Sequence, residues 1–107
     1  MKTAGKPVDS LTTANLEAIK EMAKTLAYTR NGQLVEEFLR SILTPNELNT
    51  VAERWELVKL IDQGMSQRKI SEKLGLSLCK ITRGSKELKK ENSAFAEMIK
   101  LYRKLVR

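Results

Sequence analysis

The sequence predicts an all-α fold of six helices, and three observations support this. Leu, Ile, Lys and Glu are plentiful among the 107 residues, whereas Gly occurs 5 times and Pro twice, a composition that favours helices. Apolar residues recur at spacings of three and four, which places them on one face of a helix. Helix start and stop signals divide the chain into short segments. The length predicts a single helical domain, 10–107, behind a flexible arm at 1–9.

Two helices are predicted in the first part of that domain. Ser10 is a suitable N-cap for the first, whose apolar positions fall within 11–26. Asn31-Gly32 is a stop and turn signal between the two helices. The second helix, over 34–43, has a broad apolar face for so short a segment, which indicates burial on more than one side. A partner chain is one candidate for the covering surface.

The third and sixth helices have clear start signals. Thr44 is an N-cap, Pro45 suits the first helical position and Glu47 completes a capping box, so a helix begins here and ends near Gly64. Ser93 is a suitable N-cap for a last helix. The inward positions we expect are Leu48, Val51, Ala52, Trp55, Val58 and Ile61 in the third helix, and Phe95, Met98, Ile99, Tyr102, Leu105 and Val106 in the last.

Residues 66–90 have the pattern of two short helices joined by a tight turn. Ile70 and Leu74 share one face of the first helix, and Gly75 follows where a left-handed residue can end it. Ser77 is an N-cap for the second helix. The expected buried residues are Leu76 in the turn and Leu78, Ile81 and Leu88 after it. This order is typical of a helix-turn-helix, which places its second helix in the DNA major groove.

The positive charge of the chain is concentrated on this segment. Residues 66–90 contain eight Lys or Arg and two acidic residues, a net charge of +6, whereas the whole chain carries +7. Residues 1–65 contain eight basic and nine acidic residues. A basic module in an otherwise balanced chain is the distribution expected for contacts with phosphates. A solvated basic face on an ordinary pair of helices is the alternative.

The composition argues against an enzyme, a metal protein and a membrane protein. The chain contains no His, which removes the commonest general base and metal ligand, and its carboxylates are scattered. Cys79 is the single cysteine, so no disulfide forms within the chain, and we expect no catalytic residue and no bound metal. No apolar run is long enough to cross a membrane, and no signal peptide is evident. We therefore expect a soluble cytoplasmic protein.

Four short strings resemble the tryptophan operon repressor family. They are LTP at 43–45, an Arg at 54, MSQR at 65–68 and ITRGS at 81–85. Their order and spacing match that family apart from one missing residue near Gly64, and the similarity is strongest over 39–90. The resemblance implies an intertwined, all-helical homodimer whose helix-turn-helix units bind double-stranded operator DNA. It also implies L-tryptophan as corepressor, with no other cofactor, and control of tryptophan biosynthesis or transport genes.

The resemblance also implies a ligand site. Arg54 and Arg83 match the two arginines that flank the indole ring, and a planar guanidinium stacks well on an aromatic face. Gly84 leaves room for the ring, and Arg83 can also pair with the ligand carboxylate. The predicted ligand-binding residues are Leu43, Thr44, Arg54, Arg83, Gly84 and Glu87. The alternative is that Arg54 is a solvated helix residue and Arg83 a phosphate contact.

Residues at the start of each short helix are the implied DNA contacts. Gln67 and Arg68 begin the first helix and match residues that contact phosphate and a guanine edge. The predicted DNA-binding residues are Gln67, Arg68, Lys69, Leu78, Cys79, Lys80, Thr82 and Lys86.

Three positions depart from the family pattern. Ser41 replaces an expected Leu, at a position that mainly offers a backbone carbonyl. Lys80 replaces a short polar residue, which changes operator preference or phosphate contacts. Glu87 stands where a short hydroxyl residue is familiar beside the ligand's amino group. A carboxylate there could pair with an ammonium, or it could pair with Arg83 one turn away and close the pocket.

Two other functions fit the sequence. One is a helix-turn-helix regulator that needs no ligand or takes a different one, with Glu87 filling the pocket. The other is a helical protein-interaction module whose basic face docks an acidic partner. Titration with tryptophan separates the first from a corepressed regulator, and equal affinity for operator and random duplex would indicate binding without sequence preference.

Overall fold

The computed structural model describes residues 10–106, so the arm predicted at 1–9 lies outside the described residues. Those residues form six helices and no strand, which confirms the predicted class. The helices are α1 (Thr13–Thr29), α2 (Gly32–Ile42), α3 (Pro45–Asp62), α4 (Gln67–Leu74), α5 (Leu78–Lys89) and α6 (Ala94–Leu105). They group into two compact units, α1 with α2 and α3 to α6. The single domain over 10–107 stays a prediction.

The first helix begins later than its predicted cap. Thr12, and not Ser10, is the N-cap of α1, because its extended backbone lets its hydroxyl accept a hydrogen bond from the Asn15 N–H at 3.1 Å. The helix ends at Arg30, which adopts a left-handed conformation with φ 54°. The prediction of Ser10 was wrong because three hydroxyl residues, Ser10, Thr12 and Thr13, lie close together and the sequence does not rank them.

Asn31 starts α2 as well as marking the end of α1. Its side-chain oxygen accepts a hydrogen bond from the Leu34 N–H at 3.1 Å, in the manner of an N-cap. The hydroxyl of Thr29 accepts the Asn31 N–H at 2.8 Å. The predicted stop and turn signal is therefore confirmed.

The unit of α1 and α2 contains no buried residue among those described, 10–42. Several of its large apolar side chains are exposed, with fractions of 42, 47, 51 and 51% for Leu16, Ile19, Leu34 and Ile42, and others are half-buried. Apolar area left in water is unfavourable, so these faces are suited to burial against a further surface. No helix in the described part of the chain is long and apolar enough to span a bilayer.

The capping box that starts α3 is complete. The Thr44 hydroxyl accepts a hydrogen bond from the Glu47 N–H at 3.2 Å, and Glu47 Oε1 accepts one from the Thr44 N–H at 2.8 Å. Pro45 occupies the first position of the helix. Gly64 follows the helix with φ 92°, a conformation that favours glycine. Both predicted ends of this helix are confirmed.

One apolar core lies within the unit of α3 to α6. Its buried members are Leu57, Val58, Leu60, Ile70, Leu76, Ile81 and Ile99. The inward face predicted for α3 was partly wrong, because Val51 is 48% exposed while Leu57 and Leu60, which were not predicted, are buried. The buried residues of α3 all lie in its C-terminal half, where the other helices of the unit cover it.

The turn between α4 and α5 has the predicted chemistry. Gly75 is left-handed with φ 69°, and its N–H donates to the Ser71 carbonyl at 2.9 Å. The Ser71 hydroxyl in turn donates to the Leu76 carbonyl at 2.7 Å, while the Leu76 side chain is buried. Leu78 is 55% exposed at the first position of α5, so its predicted burial was wrong.

Aromatic and charged side chains connect α6 to α3. Trp55 stacks on Phe95 with ring centroids 6.0 Å apart and meets the edge of Tyr102 at 5.8 Å. The Lys59 ammonium lies 5.1 Å from the centre of the Tyr102 ring and 3.0 Å from Glu56. The hydrogen bond to Glu56 raises the pKa of Lys59 above its usual 10.5, so this stabilisation is present below that pH and is lost at higher pH.

One side of α6 carries exposed apolar side chains. Met98, Leu105 and Val106 were predicted to point inward, yet they are 54, 82 and 60% exposed. Ile99 is buried, as predicted. This face, like those of α1 and α2, is left without cover in a single chain.

Replacing Ser93 by Ala should destabilise the protein by about 1–3 kcal/mol. Ser93 is buried, its hydroxyl donates to the Glu87 carbonyl at 2.8 Å, and it accepts the Ala96 N–H at 2.9 Å. The substitution removes the α6 cap and leaves the Glu87 carbonyl with only the longer hydrogen bond from the Lys90 N–H, at 3.4 Å. Urea unfolding measures the loss, with Ser66→Ala, an exposed cap, as the control expected to lose about 1 kcal/mol. Equal stability of Ser93→Ala and the unmodified protein would contradict this assignment.

Candidate functional site

A cavity of about 390 Å³ lies between α3 and α5. Its floor is apolar and is formed by Leu57, Val58 and Leu76, all of which are buried. Its charged lining consists of Glu53 and Arg54 from α3 and Lys80, Arg83 and Glu87 from α5. The remaining lining residues are Thr50, Gly84 and Phe95. An apolar floor with a few convergent charged groups is the usual composition of a small-molecule site.

Helical spacing explains the α3 side of the cavity. Thr50, Arg54 and Leu57 follow one another at intervals of four and three, so they share one face of the helix. Arg54 was the one charged residue of this wall predicted as a ligand contact. Glu53 and Thr50 were missed, although counting one turn back from Arg54 would have found Thr50.

The α5 side is built on the same spacing. Lys80, Gly84 and Glu87 lie at intervals of four and three on one face, and Arg83 lies beside the glycine. Ser77 fixes the start of this helix by accepting the Lys80 N–H at 3.2 Å. Lys80 was predicted as a DNA contact, and the structure brings it to the wall of the cavity as well.

Gly84 allows α5 to approach α3 closely. A Cβ atom built at this position would collide with the Leu57 Cδ1 atom and would lie 3.4 Å from the Val58 Cγ2 atom. Leu57 is only 2% exposed and has little room to move. The absence of a side chain at Gly84 therefore allows α5 and α3 to pack closely, in addition to leaving the predicted space for the indole ring.

The carboxylate of Glu87 pairs with Lys90 and not with Arg83. The Lys90 ammonium lies 3.1 Å from Glu87 Oε2, and both side chains are more than half exposed. No salt bridge within residues 10–106 involves Arg54 or Arg83. The closed pocket, in which Glu87 pairs with Arg83, is therefore not the arrangement of this structure.

Leu43 and Thr44 are not part of the cavity wall in this chain. Thr44 precedes Arg54 by ten residues at the start of α3, which is about 15 Å along a helix axis. Its hydroxyl caps the helix, and Leu43 is half-buried. Their role toward a ligand stays a prediction.

The predicted DNA-binding residues are all exposed. They are Gln67, Arg68 and Lys69 on α4 and Leu78, Cys79, Lys80, Thr82 and Lys86 on α5. The Thr82 hydroxyl donates to Gln67 Oε1 at 3.3 Å and joins the two helices. Within the described part of the chain, none of the four cations forms a salt bridge, so their charge is available for phosphate.

Comparison with known proteins identifies the family. The model of the Trp repressor protein family matches residues 15–103, most of the chain. This chain belongs to the Trp repressor family. The family consists of DNA-binding regulators and not enzymes, so the recognised family and the absence of an enzymatic role are confirmed. Membership of the family also confirms the predicted function, a DNA-binding repressor that responds to tryptophan.

Curated relatives agree with the family match. The chain is 33% identical over 87 residues to a Trp operon repressor homolog of Mannheimia succiniciproducens, which covers 80% of this chain and 86% of the relative. It is 33% identical over 93 residues to a Trp operon repressor homolog of Haemophilus influenzae strain PittEE, and the match covers 86% of this chain and 92% of the relative. A Trp operon repressor homolog of Vibrio parahaemolyticus is 31% identical over 83 residues, which cover 77% of this chain and 81% of the relative. The search of solved structures gives no match.

Proposed function

We propose that this protein is a homodimeric repressor that binds operator DNA when L-tryptophan occupies the cavity between α3 and α5. The observation that carries the proposal is the cavity itself. It brings Arg54 and Arg83, from two helices, together with Gly84 over an apolar floor. A sequence-specific repressor acts on chromosomal DNA, so we expect it in the cytoplasm, controlling genes of tryptophan biosynthesis or transport.

The cavity suits an aromatic amino acid in size and chemistry. Its volume of about 390 Å³ lies within the range of about 300–1,000 Å³ typical of small-molecule sites. An indole ring on Leu57 and Val58 would remain in contact with apolar atoms. The guanidinium groups of Arg54 and Arg83 form no salt bridge within the described residues and can stack on its faces, and Arg83 can hold the carboxylate.

A second copy of the chain is part of the proposal for two reasons. The apolar faces of α1, α2 and α6 are exposed in a single chain, and burying them would stabilise a dimer by about 25 cal/mol per Å². In addition, Thr44 lies too far along α3 to reach the cavity beside Arg54 of its own chain. If Leu43 and Thr44 contact the ligand, they do so from the other subunit.

Ligand and DNA can be coupled because α5 carries both sets of residues. Arg83, Gly84 and Glu87 line the cavity, whereas Thr82 and Lys86 are exposed and do not line it. A ligand that favours the DNA-competent orientation of this helix shifts the population toward it. By linkage, operator DNA must then tighten ligand binding by the same factor.

Selection of DNA from a random pool tests the function and finds the operator sequence at the same time. The full chain is incubated with a pool of random duplexes at fixed salt, with or without L-tryptophan, and the retained sequences are read. We expect a two-fold symmetric sequence to be enriched only with L-tryptophan. Enrichment without any dependence on the amino acid would favour the ligand-independent regulator, and no enrichment in either condition would favour the protein-interaction module.

Replacing Arg68 by Ala should weaken binding to the selected duplex about tenfold or more. A bidentate contact of Arg with a guanine edge contributes about 1–3 kcal/mol of discrimination. Arg68 is exposed on α4 and does not line the cavity, so L-tryptophan affinity of the free protein should be unchanged. Fluorescence anisotropy and calorimetry measure the two affinities. A parallel loss of ligand affinity would contradict the separation of the two sites.

A further inference from the structure

One hydrogen bond between side chains joins α4 to α5 within the described residues. The Thr82 hydroxyl donates to Gln67 Oε1, and the two oxygen atoms are 3.3 Å apart. Gln67 is the first residue of α4, and Thr82 lies in the second turn of α5. Both residues are exposed. The hydrogen bond therefore connects the two helices on their surface, among the predicted DNA contacts, and not in the core.

Buried residues beneath this hydrogen bond fix the distance between the two helices. Ile70 follows Gln67 by three residues on α4, and Ile81 directly precedes Thr82 on α5. Both isoleucines are 0% exposed, and a close-packed core resists displacement. The hydrogen bond is therefore made or broken by rotation of the two side chains, and the helices need not move.

The direction of the hydrogen bond determines what the Gln67 amide offers to DNA. A glutamine amide has one acceptor oxygen and an NH₂ group with two donors. Because Thr82 donates to Oε1, the acceptor is engaged and both N–H groups of Nε2 are left for another partner. Phosphate oxygens are acceptors and can bind the amide only through Nε2. An amide turned over would present its oxygen to the phosphate, which is repulsive.

We propose that Thr82 is a positioning residue for Gln67, whose amide it orients before DNA arrives so that Nε2 donates to a phosphate oxygen. The inference rests on the proposed DNA-binding function and gives Thr82 a role that it performs through another side chain. A free glutamine side chain loses rotational freedom when it binds, and this loss weakens binding. A side chain that is already held in the binding orientation loses less.

The test measures DNA affinity of full-chain variants by fluorescence anisotropy. The probe is the duplex selected by the unmodified protein, at fixed salt and with saturating L-tryptophan. Thr82→Val removes the hydroxyl and keeps a similar shape, so affinity should fall about three- to tenfold. Thr82→Ser keeps the hydroxyl and should keep the affinity. Gln67→Glu can still accept from Thr82 but has no N–H to donate, so it should weaken binding more than Thr82→Val does.

A double-mutant cycle separates positioning from a direct contact of Thr82 with DNA. In a Gln67→Ala background there is no amide to orient, so adding Thr82→Val should cause no further loss of affinity. The same loss in both backgrounds would mean that Thr82 contacts DNA by itself, and it would overturn the inference. Thr82→Ser that binds as weakly as Thr82→Val, or Gln67→Glu that binds like the unmodified protein, would overturn it as well.

Two controls exclude a general effect of the substitution. Thr25 is an exposed residue of α1 whose hydroxyl donates to the Glu21 carbonyl of its own helix at 2.8 Å, so Thr25→Val should leave DNA affinity unchanged. Thr82 does not line the cavity, so Thr82→Val should keep the L-tryptophan affinity of the free protein. A joint loss of ligand and DNA affinity would assign the hydroxyl to packing and overturn the inference. An unmodified chain that selects no duplex would instead overturn the proposed function, and the inference with it.

Discussion

Gly84→Val should abolish L-tryptophan binding and destabilise the protein by about 1–3 kcal/mol. The new Cβ would collide with Leu57 Cδ1, and Leu57 is buried and cannot move aside without straining the core. The branched side chain would also occupy the part of the cavity above the helix. Val has a better helix propensity than Gly by only a few tenths of a kcal/mol, which does not offset this strain.

Calorimetry and urea unfolding measure the two effects of this substitution. Gly32→Val is the matched control, because Gly32 is also helical and an added Cβ there has no atom within 4 Å. A Gly84→Val protein of normal stability that still binds L-tryptophan would show that the cavity is not the ligand site.

Arg83→Ala should abolish most of the effect of L-tryptophan on DNA affinity. Allosteric couplings of this kind are typically about 5–150-fold, and Arg83 is expected to contact both the ring and the carboxylate. The affinity for DNA without ligand should fall less, because Arg83 faces the cavity and several other cations remain exposed on α4 and α5. Fluorescence anisotropy titrations of the selected duplex, with and without L-tryptophan, measure the two DNA affinities.

Lys89→Ala is the control for lost positive charge on the same helix. Lys89 is exposed and does not line the cavity, so it should change DNA affinity equally with and without ligand. If Arg83→Ala behaved in the same way, the arginine would be a phosphate contact and not a ligand residue.

Local chemistry made most of the helix boundaries predictable, the start of α1 excepted. The Thr44 capping box, the left-handed Gly75 and the caps Ser77 and Ser93 depend on neighbouring residues alone, and all four are present in the structure. The face that α3 buries could not be predicted in this way. Apolar residues occur around much of that helix, and the choice of Leu57 and Leu60 over Val51 depends on where the other helices of the unit pack.

The site was predictable only where the family pattern applied. Arg54, Arg83, Gly84 and Glu87 were named from it and do line one cavity. The place of Glu53 in the cavity wall was missed, and so was that of Lys80, which was predicted only as a DNA contact. Both depend on how α3 faces α5, which no local signal specifies. The pairing of Glu87 with Lys90 was also missed, since two cations lie within reach along the helix and the sequence does not choose between them.

One measurement tests the coupled ligand and DNA sites most directly. L-Tryptophan is titrated calorimetrically into the full chain, first alone and then with a saturating amount of the selected duplex. We predict one ligand per chain in both cases and an affinity about 5–150-fold higher on DNA, as reciprocal linkage requires. Identical affinities with and without DNA, or no saturable binding, would contradict a tryptophan-controlled repressor.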